Sequence, residues 1–368
     1  MSTPDFSNAV RLSSRQWAAV ASFALLILLF TPTLWTRVER FEPGPDYRIP
    51  EDLGNDYWLY DRFARVATGR CDTVLIGDSV VWGPYVRSDQ TLSHALNDLA
   101  GTSRFANLGL DGAEPVALRG LVEYYGSAVR GKTVLLQCNP LWLSSPLRDL
   151  RETDERRFSH PRLIPQFVPS IPSYKEAASP RIGILVEQRV PFIAWANHLQ
   201  QAYFEKMDIP SWTLEHPDKN PLKPLTEGLP PDADHPQHEP IPWHERGIRP
   251  QDFAWVDLST SLQWSSFVQT IEILEARGNA VFVLVGPFNE HMLTDKSRQQ
   301  FGQVKAAIEG GLRARGVPFL APPPLPSELY GDASHPLAAG YVMLAKQILP
   351  LLDPSSPARH VVHTAVWR

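Results

Sequence analysis

Apolar residues fall into three patterns along this chain. The first is a run of 21 residues between Arg15 and Arg37, QWAAVASFALLILLFTPTLWT, that carries no charge. At about 1.5 Å of rise per residue, such a helix spans a hydrocarbon core of roughly 30 Å. Trp17 and Trp35 stand at its two ends, where aromatic rings favour the membrane–water boundary. A cleaved leader and a buried core helix are the rival readings. No small-residue cleavage pattern follows Phe30, and the run has no polar face. The pattern predicts an N-terminal tail over 1–16, a transmembrane anchor over 17–36 and a polar, proline-containing juxtamembrane linker over 37–72. Arg11 and Arg15 on one side and Arg37, Arg40 and Arg48 on the other leave the positive-inside count undecided. A short tail and a large following domain fit a signal anchor, with the domain outside the cytoplasm.

The second pattern begins at residue 73. Short apolar runs, each bounded by Gly or Pro, alternate with stretches of helical period. TVLIG (73–77), RFANLGLDGAEP (104–115), KTVLLQCNP (132–140), NAVFVLVGP (279–287) and GVPFLAPP (316–323) read as strands or strands entering turns. Helices are expected over 89–100, 114–129, 259–278, 294–315 and 336–352. Strands separated by helices imply an α/β fold, a mainly parallel five-stranded sheet covered on both faces. The third pattern is the lack of one. Residues 146–258 show no strand–helix alternation and are rich in proline; only 184–207 has helical period, and 208–252 reads as loop. This predicts a long insertion in an α/β domain that occupies 73–368.

Composition adds constraints. The 35 prolines are nearly twice the usual share of about 5% and cluster at 32–50, 161–250 and 318–326, in connections rather than core. A net charge of −5 gives no electrostatic case for nucleic acid. Cys71 opens one predicted strand and Cys138 closes another. On parallel neighbours these ends lie roughly 20 Å apart, beyond disulfide reach, so two free thiols and no metal site are expected.

In an open α/β sheet, ligands bind beyond the carboxyl ends of the strands. Five segments fall there: Gly77-Asp78-Ser79, Asn107 to Gly112, Asn139, Pro287 to His291, and the loop with Asp332 and His335. They can form an acyl-transfer site. A serine hydroxyl needs a base, for which His335 is suited, and Asp332 can fix the imidazole tautomer. The Ser79 and Gly112 backbone N–H groups and the Asn139 amide can supply oxyanion donors. Asn289 and His291 are open as substrate contacts, as a second acid/base or as solvated loop residues, and Asp78 is a further candidate substrate contact. Trp82 and Trp142 suit either sugar-ring contact or packing. His235, His238 and His244, with Asp232 and Asp234, read as a solvated loop rather than a metal site, because no helix or strand holds them. Phe192, Ile193, Trp195, Leu199 and Phe204 give 184–207 an apolar face for the core or a membrane surface.

These residues resemble the SGNH (GDSL) hydrolase superfamily. Its first block is matched by Gly77-Asp78-Ser79 with Gly83, its second by Asn107-Leu-Gly109-Leu-Asp-Gly112, and its fifth by Asp332 and His335. In its third block the family has Gly-x-Asn-Asp, where this chain has Gln137-Cys138-Asn139-Pro140. The resemblance covers about 74–352. It implies a flavodoxin-like fold, a Ser79–His335–Asp332 triad, an oxyanion hole of Ser79, Gly112 and Asn139, and no cofactor. With the anchor, it is similar to membrane-associated members that acylate exported polysaccharides. That implies a carbohydrate or acyl-ester substrate and a membrane acyl-donor protein as partner. A carbohydrate, lipid or small-ester esterase and a non-catalytic polysaccharide-binding or assembly factor are the alternatives.

Overall fold

The computed structural model describes residues 12–222, 225–226, 228–229 and 235–352. The tail to Arg11, Asp232, Asp234 and the chain after Leu352 lie outside them. Five strands form one sheet: β1 (Thr73–Ile76), β2 (Phe105–Asn107), β3 (Thr133–Cys138), β4 (Ala280–Val285) and β5 (Phe319–Leu320). Their order is β2-β1-β3-β4-β5, and every pairing is parallel. Register explains the near-continuous apolar runs. Leu75, Leu135 and Phe282 align across three strands on one face, and Val74, Val134 and Val281 on the other. Both faces are buried, so neither has polar alternation. Helices Leu92–Ala100 and Ala338–Leu352 pack together, as do Pro115–Gly120 and Leu262–Ala276. Leu92, Leu96, Tyr341 and Leu344 join Leu75, Leu135 and Phe282 in one core.

Three expectations are corrected. The stretch read as linker contains helix Tyr57–Arg70, which buries Tyr57, Leu59, Tyr60 and Phe63. Its apolar residues recur at helical spacing, but the prolines before it masked the pattern. The helix expected over 184–207 is two, Ala178–Glu187 and Pro191–Tyr203, because a proline removes an interior N–H donor and suits a helix start. The helix expected over 114–129 keeps α geometry only to Gly120, then widens into a π turn over Leu121–Tyr125. Cys71 and Cys138 are free thiols.

The chain divides into two units. Among the described residues, one joins those up to Phe41 to those of 186–229, and the other holds 42–185 and 235–352. In the first, Ser13 caps a helix Ser14–Val38 of 25 residues with a mean hydropathy of 2.0. It is long and apolar enough to cross a membrane, and its side chains are largely exposed. Its end carries a buried carboxylate: Glu39 Oε1 accepts from Trp35 Nε1 at 3.0 Å, His198 Nε2 at 2.9 Å and the Tyr203 hydroxyl. Trp35 also meets the rings of Trp195 and Tyr203, with Leu199, Phe204 and Trp212 beside them. Of the expected apolar face over 192–204, Trp195, Leu199 and Phe204 pack within this unit.

Candidate active site

The site lies wholly in the second unit, beyond the carboxyl end of β1. The strand stops at Gly77, where an added Cβ would stand 2.5 Å from Val81 Cγ2 and 2.8 Å from Gln137 Cβ. Only glycine lets β1 turn this tightly against β3. Asp78 then caps a single helical turn, Ser79–Trp82, by accepting from the Val80 N–H at 2.9 Å. Asn107 holds that turn from β2, donating to the Val81 carbonyl at 2.8 Å.

Ser79 Oγ and His335 Nε2 are 2.8 Å apart. On the other side of the imidazole, Nδ1 lies 2.7 Å and 2.8 Å from the two oxygens of Asp332. Asp332 Oδ1 also accepts from the Ser334 and His335 N–H groups, each at 3.0 Å, which fixes the carboxylate within its own turn. With Asp332 on Nδ1, the proton sits there and Nε2 is free to take the serine proton. Burial pushes the Asp332 carboxyl up, but the charge and hydrogen bonds of His335 outweigh it and hold the group well below the carboxylate range. Burial depresses the His335 imidazolium; Asp332, Asp78 and Asp111 outweigh that and leave it raised.

The sign of the pH effect follows. A base must be neutral, so the acid limb of kcat/KM is expected above 6.5, the ordinary imidazole value. A limb at or below that value in a pH–rate profile would contradict the pairing. The raised His335 value stabilises the fold fully below 6.5 and the lowered Asp332 value fully above 3.8, so the pair contributes in full between them and is lost as pH rises through the raised His335 value or falls through the lowered Asp332 value.

Neither the Ser79 nor the Gly112 N–H meets a protein acceptor among the described residues. Gly112 has φ +72°, and a Cβ there would meet Ser159 at 3.0 Å. Its peptide is held from behind: His160 Nε2 donates to the Asp111 carbonyl at 2.6 Å, and His160 Nδ1 lies 3.0 Å from the Tyr57 hydroxyl. Burial pushes His160 down to about 4, so it is a neutral ring with one fixed tautomer. Sequence reasoning missed His160, which lies in the stretch without periodicity. It also missed Tyr57, which lies in the expected linker.

The remaining expected residues are placed as follows. Asn139 Nδ2 donates at 2.8 Å to Asp78 Oδ2 and lies 3.5 Å from Ser334 Oγ, so its short bond goes to a neighbour's carboxylate. Trp142 Nε1 donates to the same Asp78 oxygen at 2.7 Å, and its ring is half-buried at the site. Asp78 is therefore a buried carboxylate with three donors, and burial raises its pKa. Trp82 does not line the site. Its ring is buried under the Arg48 guanidinium at 4.1 Å, and its Nε1 donates to the Ile49 carbonyl. Asn289 is fully buried and donates to the Asp332 carbonyl at 3.0 Å, bracing the turn rather than facing a ligand. His291 is exposed and its Nε2 lies 3.0 Å from the Leu325 carbonyl, away from the triad. His238, read as solvated loop, packs its ring 5.1 Å from that of Tyr85 beside the triad.

The chain matches no protein-family model and no curated protein.

Proposed function

We propose that this protein carries out ester chemistry through an acyl-Ser79 intermediate. The observation that carries this reading is the unbroken hydrogen-bond chain from Asp332 through His335 to Ser79 Oγ, beside two unpaired backbone N–H groups. Ser79 Oγ attacks an ester carbonyl while His335 Nε2 takes its proton. The oxyanion gathers the Ser79 and Gly112 N–H groups. The imidazolium then protonates the leaving alkoxide, and an incoming hydroxyl repeats the steps in reverse.

The resemblance to SGNH proteins supports transfer of an acyl group, such as acetyl, to or from a carbohydrate. Water in place of the sugar hydroxyl would make the protein an esterase. The apolar N-terminal helix supports a single-pass anchor with the α/β unit outside the cytoplasm, where a membrane acyl-donor protein would supply the acyl group. The test is acyl trapping. The full chain in detergent micelles receives an acetyl-ester reporter, is quenched at short times and is analysed by mass spectrometry. An acetyl group on the Ser79 peptide, discharged faster when oligosaccharide is added, is expected for the transferase. Discharge indifferent to oligosaccharide identifies an esterase. A reporter turned over with no acyl group on Ser79 would overturn the mechanism.

A further inference from the structure

The stretch from Gln237 to Arg246 was expected to be solvated loop, yet it is pinned to the segments that carry the triad. The His238 N–H donates to the Pro84 carbonyl at 2.9 Å, and the Trp243 N–H to the Tyr330 carbonyl at 2.9 Å. Between these pins lies Tyr85, whose side chain is 3% exposed. Its hydroxyl donates to Asp332 Oδ2 at 3.3 Å, and its ring centroid is 5.8 Å from that of His335. Arg246 Nη1 donates to the Tyr85 oxygen at 2.5 Å and to the Gly331 carbonyl at 3.1 Å. The fit is close: a Cβ on Gly331 would meet the Tyr85 ring at 2.7 Å.

We propose that Tyr85 is a positioning residue of the catalytic centre and that Arg246, delivered by the proline-rich stretch, holds it in place. This rests on the Ser79 reading above. The direction of each bond is fixed by chemistry. A guanidinium only donates, so the Tyr85 oxygen accepts from Arg246, and its own proton is left for Asp332. Burial and the Asp332 charge keep that phenol protonated. The hydroxyl takes up part of the charge on Asp332 Oδ2, which otherwise receives only the His335 Nδ1 proton. The ring beside His335 limits how far the imidazole can swing from Ser79.

Two consequences follow for the Tyr85→Phe variant. The imidazole loses a constraint, which slows attack. The Asp332 carboxylate loses a donor, so it binds the imidazolium more tightly, and the acid limb moves to higher pH. Asp78 and Asp111 also act on His335, Arg148 also acts on Asp332, and His238 packs against Tyr85. None of these is altered by the substitution. Arg246 is itself exposed, so Arg246→Ala has a smaller effect, and Arg246→Lys restores part of it.

The experiment labels the full chain in micelles with a fluorophosphonate. Ser79 Oγ bonds to phosphorus, fluoride leaves, and His335 takes the serine proton, so the labelling rate against pH reads the triad without a known substrate. Tyr85→Phe is expected to label roughly tenfold more slowly near neutral pH, with its acid limb displaced upward. Arg246→Ala is expected to fall between it and the unaltered protein. An unmoved limb in Tyr85→Phe, whether the rate is unchanged or reduced together with the melting temperature, overturns the proposal. Failure of the unaltered protein to label overturns the Ser79 reading instead. The downfield proton signal of the His335–Asp332 bond then decides the role of Tyr85: displacement in Tyr85→Phe supports it, and an unmoved signal overturns it.

Discussion

Ser79→Ala is expected to lower turnover by about a millionfold, and adding His335→Ala to it should cost almost nothing more. The two side chains act as one device, since the base has no proton to take once the hydroxyl is gone. Asp332→Asn is expected to cost about 10⁴-fold, less than the nucleophile but far more than a lost hydrogen bond. The reason lies in the turn geometry. Asp332 Oδ1 already accepts the Ser334 and His335 N–H groups, so an asparagine there would keep its oxygen on them and turn its NH₂ towards His335. The imidazole would then have to accept at Nδ1 and carry its proton on Nε2, pointing a hydrogen at Ser79 instead of a lone pair. Steady-state rates of the single and double variants test this. Additive losses for Ser79→Ala and His335→Ala, or an Asp332→Asn variant within tenfold of the parent, would show that the hydrogen-bonded chain is not the reacting device.

Asp78→Asn is expected to be the most damaging isosteric change outside the triad. Oδ2 of Asp78 accepts from both Asn139 and Trp142, and Oδ1 accepts from the Val80 N–H. All three partners donate, so the group serves only as a carboxylate. An amide must aim its NH₂ at one or two of these donors whichever way it flips. The milder flip still strands the Val80 N–H in a buried site, a loss of roughly 1–3 kcal/mol. A lowered melting temperature and a turnover reduced by roughly tenfold are expected, because Val80 lies in the single turn that presents Ser79. The acid limb should move to lower pH, since one carboxylate that raises His335 has gone. That displacement is opposite to the one expected of Tyr85→Phe. An Asp78→Asn protein that melts and titrates like its parent would contradict this account of the carboxylate.

The contrast between these residues explains what could be read from the sequence. β1, β3 and β4 are legible because each is a run buried on both faces and closed by Gly, Asn or Pro. Asp332 and His335 are legible together because they lie three residues apart in one turn, and Ser79 because it follows a strand end directly. Tyr85, His160 and Arg246 carry no such local mark. Their partners are 247, 49 and 161 residues away in sequence. No periodicity announces contacts made by an irregular segment. Trp82 and Trp142 show the same limit in reverse. Each is an aromatic residue close behind a site residue, yet one is roofed by Arg48 and the other hydrogen-bonds the Asp78 carboxylate. Helix Tyr57–Arg70 is obscured for a different reason: its apolar period begins directly after a proline-rich approach, with no break in composition to mark its start.

The grouping of residues up to Phe41 with 186–229 bears on how the molecule can be cut. A truncation that begins after the apolar helix, as one would choose for a soluble fragment, removes Trp35 and Glu39 but leaves their partners behind. His198 and Tyr203 would then lose the carboxylate that receives their hydrogens, and Leu199, Phe204 and Trp212 would lose part of their cover. Such a fragment would carry a sticky, half-built lobe in the middle of its chain. A well-behaved soluble form therefore calls for two excisions, the N-terminal helix and the 186–229 segment together.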